Sequence, residues 1–387
     1  MKTTRLSALL LSLLLLLSAC GTKRQDTPDP DPAPDPAPVT PQPVEKTLDE
    51  RIDDIIADMS LEEKVGQLFF VRCPETGAAE DVASYHLGGL LLFGRDYKDA
   101  SGKWLTEDDF TSSLASYQAA AAIPLFIGSD EEGGTVTRAS RNPNLFSAPL
   151  SSPQALYASL GMEGVLTETR RYNEALKTLG INVNFAPVCD VSTNPDNFIY
   201  ARSFGQDAQT TADYIAQVVP AYETAGVACV LKHFPGYGNN ADTHTGVAID
   251  ARPYTTFERS DLVPFESGIA AGAPFVLVSH NVVECMDSAY PASLSAKVHA
   301  LLRDTLGFSG IIVTDDLAMD AVKAYAQDGS AAVLAIQAGN DMVVTTDYRE
   351  QIPQVIAAVR NGEIAESEID AHVFRVLHEK QALGLID

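Results

Sequence analysis

Eight short apolar runs, separated by amphipathic stretches over about 340 residues, constrain the fold of this chain more than any other feature. They are Gln67–Val71, Gly89–Phe93, Pro124–Gly128, Val183–Pro187, Ala228–Leu231, Pro274–Val278, Gly310–Val313 and Asp341–Val344. Stretches with helical periodicity, such as Thr211–Thr224 and Ser330–Ala338, lie between most of them. Such alternation is the signature of a parallel sheet built from βα units. Eight units predict a TIM-like (β/α)8 barrel, with an open doubly wound sheet as the rival. The polar residues decide between the two. Followed to their C-terminal ends, strands three to eight run into Asp130, Asp190, Lys232-His233, His280, Asp315 and Thr345. An open sheet gathers its ligand groups at one crevice, whereas a barrel gathers them from successive strand ends on one face. The chain is therefore read as α/β, one barrel domain with its site on the C-terminal face.

Ser60-Leu61-Glu62-Glu63 is a capping-box pattern that opens a helix, and folding is expected to begin near Thr47. Upstream, Lys2 and Arg5 precede an apolar run, Leu9 to Leu17, broken only by Ser12. That run is short for a membrane span. It ends in Leu17-Ser18-Ala19-Cys20-Gly21, which resembles a bacterial lipobox. The expectation is a signal peptide over 1–19 and lipidation of Cys20, so that the chain is exported and anchored to the cell envelope. Residues 20–46 then form a spacer. In Pro28 to Pro38 every second residue is proline, which excludes helix and sheet interior and leaves an extended segment. The folded domain is assigned to 47–387.

A formal net charge of −25 argues against nucleic acid as a partner and against docking on anionic lipid through basic patches. Cys73, Cys189, Cys229 and Cys285 lack metal-site spacing; an exported chain could pair them in any of three ways, but they are read as free thiols buried in strands.

Four stretches carry groups suited to catalysis or binding. In Val313-Thr314-Asp315-Asp316-Leu317 a carboxylate directly after an apolar strand is partly desolvated and rigidly held, as a nucleophile requires. Asp315 takes that role, and Asp316 could as readily cap the next helix. In Leu231 to Gly246, Pro235, Gly236 and Gly238 mark an irregular loop in which Asp242 and His244 stand two residues apart. The carboxylate can orient the imidazole and favour its protonated form, giving a proton donor around neutral pH. The alternative, a metal bound by His233, Asp242 and His244, is disfavoured by Lys232 beside it and by the lack of a helical HExxH. In Gly128 to Arg138 an acid, two glycines and an arginine form a tight turn presenting Asp130 and Arg138 to a polyhydroxylated ligand, or joining them as a structural ion pair. Tyr200-Ala201-Arg202-Ser203-Phe204-Gly205 places another arginine in a turn, with the same two readings.

Together these residues resemble glycoside hydrolase family 3, and within it the single-domain bacterial β-N-acetylglucosaminidases. The resemblance runs from Ser60-Leu61-Glu62-Glu63-Lys64-Val65-Gly66-Gln67-Leu68 to Phe374-Arg375-Val376-Leu377. Its most specific element is Lys232-His233-Phe234-Pro235-Gly236 followed by Asp242-Thr243-His244, similar to the family's KHFPGHG…DSH signature. Asn184-Phe185-Ala186-Pro187-Val188 and Ser279-His280 are similar to family elements as well. The resemblance implies that Asp315 is the nucleophile, that His244 is the general acid/base, and that Asp242 orients it. It implies that Asp130, Arg138, Arg202, Lys232 and His233 bind the sugar, with His280 lining the pocket or supporting its strand end. Tyr237, Asn239-Asn240, Thr135 and Glu131 depart from the usual residues, in positions that bear on the substrate's distal contacts.

The implied reaction is double displacement on a terminal β-linked N-acetylhexosamine of cell-wall or chitin-type oligosaccharides, without a cofactor. The alternatives are a β-glucosidase, a phosphorylase in which phosphate replaces water, and a sugar-binding lipoprotein without catalysis. The sequence sets no oligomeric state.

Overall fold

The computed structural model describes residues 46–238, 240, 248–326 and 330–387. Asp242 and His244, the residues proposed for the proton, lie outside the described residues, as does Cys20.

Two capped helices lead into the sheet. Leu48–Asp58 is opened by Thr47, whose hydroxyl accepts from the Glu50 amide while the Glu50 carboxylate accepts from the Thr47 amide at 2.7 Å. Leu61–Gln67 is opened the same way by Ser60 and Glu63, with Ser60 N to Glu63 Oε2 at 2.8 Å. Each box satisfies two amides that the first helical turn cannot.

Eight parallel strands follow: β1 (Phe69–Arg72), β2 (Gly89–Leu92), β3 (Phe126–Ser129), β4 (Val183–Asn184), β5 (Ala228–Phe234), β6 (Phe275–Val278), β7 (Ile311–Thr314) and β8 (Val343–Thr345). They pair in the order β8-β1-β2-β3-β4-β5-β6-β7. A parallel bridge between Val313 and Met342 joins β7 to the start of β8, so the sheet returns on itself as a barrel.

Each expected apolar run overlaps one of these strands. Most boundaries shift by one or two residues, and the two largest shifts have identifiable reasons. The fourth run is regular only through Asn184, because Pro187 has no amide hydrogen for a ladder. The fifth continues past Leu231 to Phe234, so Lys232 and His233 lie in the strand rather than in a loop after it. Partners on both sides extend it: Cys189 N donates to Lys232 O at 2.7 Å, and Ser279 N to Phe234 O at 2.9 Å.

The barrel is filled by aromatic rings. Phe70 packs on Phe185 and Phe126 at 5.2 and 6.2 Å between centroids, and Phe126 packs edge-on against Phe275 at 5.4 Å. All four are buried, and each such side chain contributes roughly 1.5–3 kcal/mol of burial. Gly89 and Gly128 make room for Phe70, whose ring would lie 2.5 and 2.7 Å from a Cβ at those positions. Helix Glu366–Ala382 closes the N-terminal end. Its Lys380 is fully buried, donates to Gln67 Oε1 at 2.6 Å and lies 5.2 Å from the Phe126 ring centre. Asp341, just before β8, accepts from Arg375 and His372 of this helix and from Arg303. Cys73, Cys189 and Cys229 are buried free thiols, as expected, whereas Cys285 is free but exposed.

Candidate active site

At the C-terminal face of the barrel the strand ends enclose a cleft of about 290 Å³. Its lining includes Arg72 from β1, Asp130 and Glu132 after β3, Lys232 and His233 from β5, and Asp315 and Asp316 after β7.

The turn after β3 is held from within. Asn184 grips Glu131 at both backbone atoms, accepting from its amide at 3.0 Å and donating to its carbonyl at 3.2 Å. The Glu131 carboxylate points away from the cleft and accepts from the amides of Arg138 and Ser140 and from the Ser140 hydroxyl. Burial raises its pKa, against the pull of these bonds. Gly133 and Gly134 adopt positive φ (90° and 64°), which lets the chain reverse and brings Arg138 back beside Asp130. Glu131 is thus the internal tie of the turn, and Asp130 and Arg138 are what it presents.

Lys232, 2% exposed, is the hub of the cleft wall. Its Nζ lies 2.9 Å from Asp130 Oδ1 and 2.5 Å from Glu132 Oε1. Glu132 also takes both arms of Arg202, at 3.0 Å from Nε and 2.8 Å from Nη2. Burial would push the Glu132 carboxyl up, but Lys232 and Arg202 overcome it and hold the pKa at about 2. Arg202 Nη2 further lies 2.9 Å from His233 Nε2. Guanidinium can only donate, so Nε2 accepts and the ring proton sits on Nδ1. There it is donated to Asp190 Oδ2 at 2.7 Å. Asp190 also receives the amides of His233 and Tyr237, at 3.2 and 2.6 Å.

Asp315 leaves β7 with its amide bonded to Val278 O at 3.1 Å, and its Oδ1 accepts from the Asp316 amide at 2.8 Å. Asp316 caps a turn rather than a helix, accepting from Ala318 N at 2.9 Å. Burial, and secondarily the Asp315 charge, raises its pKa.

The structure thus brings Asp130, Arg138, Arg202, Lys232, His233 and Asp315 to one cleft. His280 is not part of its wall. It is fully buried behind Asp316, with Nε2 at 3.0 Å from the Asp316 carbonyl and Nδ1 at 2.7 Å from Ser293 Oγ. A carbonyl only accepts, so Nε2 carries the proton and the ring braces the β7 end. Of the two readings of His280, support of the strand end is the one its contacts express.

Sequence reasoning passed over Glu132, Asp190, Arg72 and Phe93 as site residues. Glu132 stood inside the quoted turn and Asp190 at a noted strand end, but pairing of Glu132 with Lys232 and Arg202 spans 100 and 70 positions, which spacing cannot reveal. Arg72 directly follows one apolar run and Phe93 ends the next, and neither carried a motif.

The family model described as "Glycosyl hydrolase family 3 N terminal domain" matches residues 60–378. The chain is 33% identical over 336 residues to "Beta-hexosaminidase LpqI" of Mycobacterium tuberculosis, covering 83% of each. It superimposes on a β-N-acetylhexosaminidase from Beutenbergia cavernae with a TM-score of 0.74 at 30% identity, over 84% of this chain and 99% of that one. A family 3 β-N-acetylglucosaminidase from Paenibacillus gives a TM-score of 0.77 at 32% identity over 84% of this chain, which spans 63% of that longer protein.

Proposed function

The chain belongs to glycosyl hydrolase family 3, and from that membership we propose that it is a retaining β-N-acetylhexosaminidase removing terminal β-linked N-acetylglucosamine from cell-wall or chitin-type oligosaccharides. The observation that carries this reading is Asp315, an acid at the end of β7 in the same cleft as the Asp130–Lys232–Glu132–Arg202–His233 network. A cleft of about 290 Å³ is at the small end of ligand pockets and suits one terminal sugar.

In this reading Asp315 attacks the anomeric carbon and forms a glycosyl ester while protonated His244 gives its proton to the departing oxygen. Water then enters, His244 takes its proton, and the hydroxide oxygen displaces Asp315 to regenerate the carboxylate. Asp242 orients His244 and stabilises its charged form. Asp130, Arg138, Arg202, Lys232 and His233 hold the sugar's hydroxyls. The acid/base assignment rests on the sequence signature. Residues 240 and 248 bracket that segment, the first donating to Asp250 Oδ2 at 2.8 Å and the second accepting from Val282 N at 2.9 Å.

We place the folded domain, 47–387, behind a signal peptide (1–19) and a spacer (20–46) tethered through a lipid on Cys20, on the outer side of the membrane that the lipid enters. Among the described residues no helix is long and apolar enough to cross a membrane.

The test is hydrolysis of aryl β-N-acetylglucosaminide against aryl β-glucoside by the wild type, Asp315→Ala and His244→Ala. The expected result is preference for the first substrate and a loss of at least about a thousandfold in kcat/KM for Asp315→Ala. Full activity in that variant would sink the mechanism, and inactivity of a folded wild type would favour a sugar-binding lipoprotein.

A further inference from the structure

Arg72 is a cleft cation with no salt-bridge partner among the described residues. It ends β1, half-buried, and among the described residues its side chain makes no hydrogen bond or ion pair. Its Nε is sealed from solvent and unpartnered. The guanidinium lies 4.3 Å from the centre of the Phe93 ring. Arg138 faces the same ring at 5.7 Å, and its Nε is also buried without a partner. The other cations of the cleft are satisfied, Lys232 by Asp130 and Glu132, and Arg202 by Glu132. A desolvated, unpaired guanidinium is costly, and a ligand that supplies the missing acceptors accounts for its retention.

The neighbouring acids do not cancel this charge. Asp130 is committed to Lys232 at 2.9 Å, while Arg138 reaches it only at 3.7 Å. Asp316 and Asp96 both feel Arg72, but burial pushes each carboxyl towards protonation. What faces Phe93 is therefore a net positive pair.

Position in the barrel says which part of a substrate would meet it. In the strand order β1 stands four places from β5 in either direction, so Arg72 is on the wall opposite the end of β5. In the sequence, His244 follows β5. On the glycosidase reading above, the leaving group is on that side, and the wall of β1 meets the edge of the terminal sugar remote from the scissile bond.

The geometry points to a subsite, formed by Arg72 and Arg138 about Phe93, for an anionic substituent on the remote edge of the terminal sugar. Planar guanidinium groups pair with carboxylate, sulfate and phosphate oxygens through two parallel bonds. The proposal rests on the glycosidase reading and narrows its substrate to an acidic terminal sugar.

The experiment compares kcat/KM for an aryl β-N-acetylglucosaminide and its 6-O-sulfate, with wild type and Arg72→Met. The expected wild-type preference for the sulfated sugar is about tenfold or more, falling towards unity in Arg72→Met. A wild type that hydrolyses the neutral sugar as well as the sulfated one, or a ratio unmoved by Arg72→Met, overturns the subsite and leaves the glycosidase standing. Hydrolysis of neither sugar overturns the glycosidase reading itself. Free sulfate at tenfold excess over substrate is expected to leave the preference intact, and its abolition would overturn a sugar-borne anion in favour of a loose one.

Discussion

Replacing Glu132 by glutamine tests whether the cleft wall is a charge-balanced unit. The side chain bridges Lys232 at 2.5 Å and Arg202 at 2.8 and 3.0 Å, and all three are largely buried. Its pKa is held at about 2 against an ordinary 4.5. At about 1.4 kcal/mol per unit this corresponds to about 3 kcal/mol of stability. The sign follows from a depressed carboxylate: between the two values the unfolded chain binds the proton and the native chain does not. The contribution is complete above about pH 4.5 and is lost as pH falls towards 2. Glutamine keeps the shape but leaves Lys232 and Arg202 under-compensated, and removing one partner of a buried ionic cluster costs about 3–5 kcal/mol. With an unfolding entropy of roughly 2 cal/mol/K per residue over about 340 residues, 3 kcal/mol lowers Tm by about 4 °C. Differential scanning calorimetry from pH 7 to 3 would show the gap between wild type and Glu132→Gln constant down to about pH 5 and narrowing below it. A gap under about 1 °C at pH 7, or one that widens in acid, would refute the reasoning.

Two other substitutions address different links. Asp190→Asn leaves an amide group facing donors, because Asp190 accepts from His233 Nδ1 and from the amides of His233 and Tyr237. Since His233 then loses its fixed tautomer and its hold on Arg202, kcat/KM is expected to fall roughly tenfold or more, with initial rates at varied substrate as the check. Lys380→Met removes a fully buried ammonium whose pKa burial lowers from 10.5 to about 7. The unfolded chain binds more protons between those values, so wild-type stability rises with pH from about 7 to 10.5. The variant should therefore be the more stable at and below neutral pH, with its advantage shrinking as pH rises, and urea unfolding at pH 6.5 and 9.5 measures this.

The barrel was legible because each of its strands is a local event. Apolar runs such as Gly89–Phe93 and Pro274–Val278 are too short and too regularly punctuated for anything but buried parallel strands, and the closed ring was legible in the polar residues at successive strand ends. The site was legible where chemistry coincides with a strand end, as at Asp315, Asp130 and Lys232. It was not legible where function depends on which ends become neighbours. Glu132 meets Arg202 only because β3, β4 and β5 are adjacent in the ring. His280 illustrates the converse: a polar residue at a strand end, but one turned behind the neighbouring end, where it holds the Asp316 carbonyl instead of lining the cleft. A sequence gives the end of a strand but not the direction of the side chain there.

The bonding of the cleft also explains why its acids are not interchangeable. Glu132 spends both oxygens on cations, Asp190 spends both on His233 and Tyr237, and Glu131 spends both inside its own turn. Asp130 differs, since Oδ1 meets Lys232 at 2.9 Å while Oδ2 has only the longer 3.7 Å approach of Arg138. One oxygen fixed and one lightly held is the arrangement that can accept a sugar hydroxyl without breaking an existing bond. By the same accounting, Arg138 and Arg72 are the cations whose donors are least used, and both face Phe93. The pattern of satisfied and unsatisfied groups therefore divides the cleft into a rigid wall from Glu132 to His233 and a receptive one around Asp130, Arg138 and Arg72. Selectivity among terminal sugars should be set on the receptive side, and changes there should alter which sugar is preferred more than how fast Asp315 reacts.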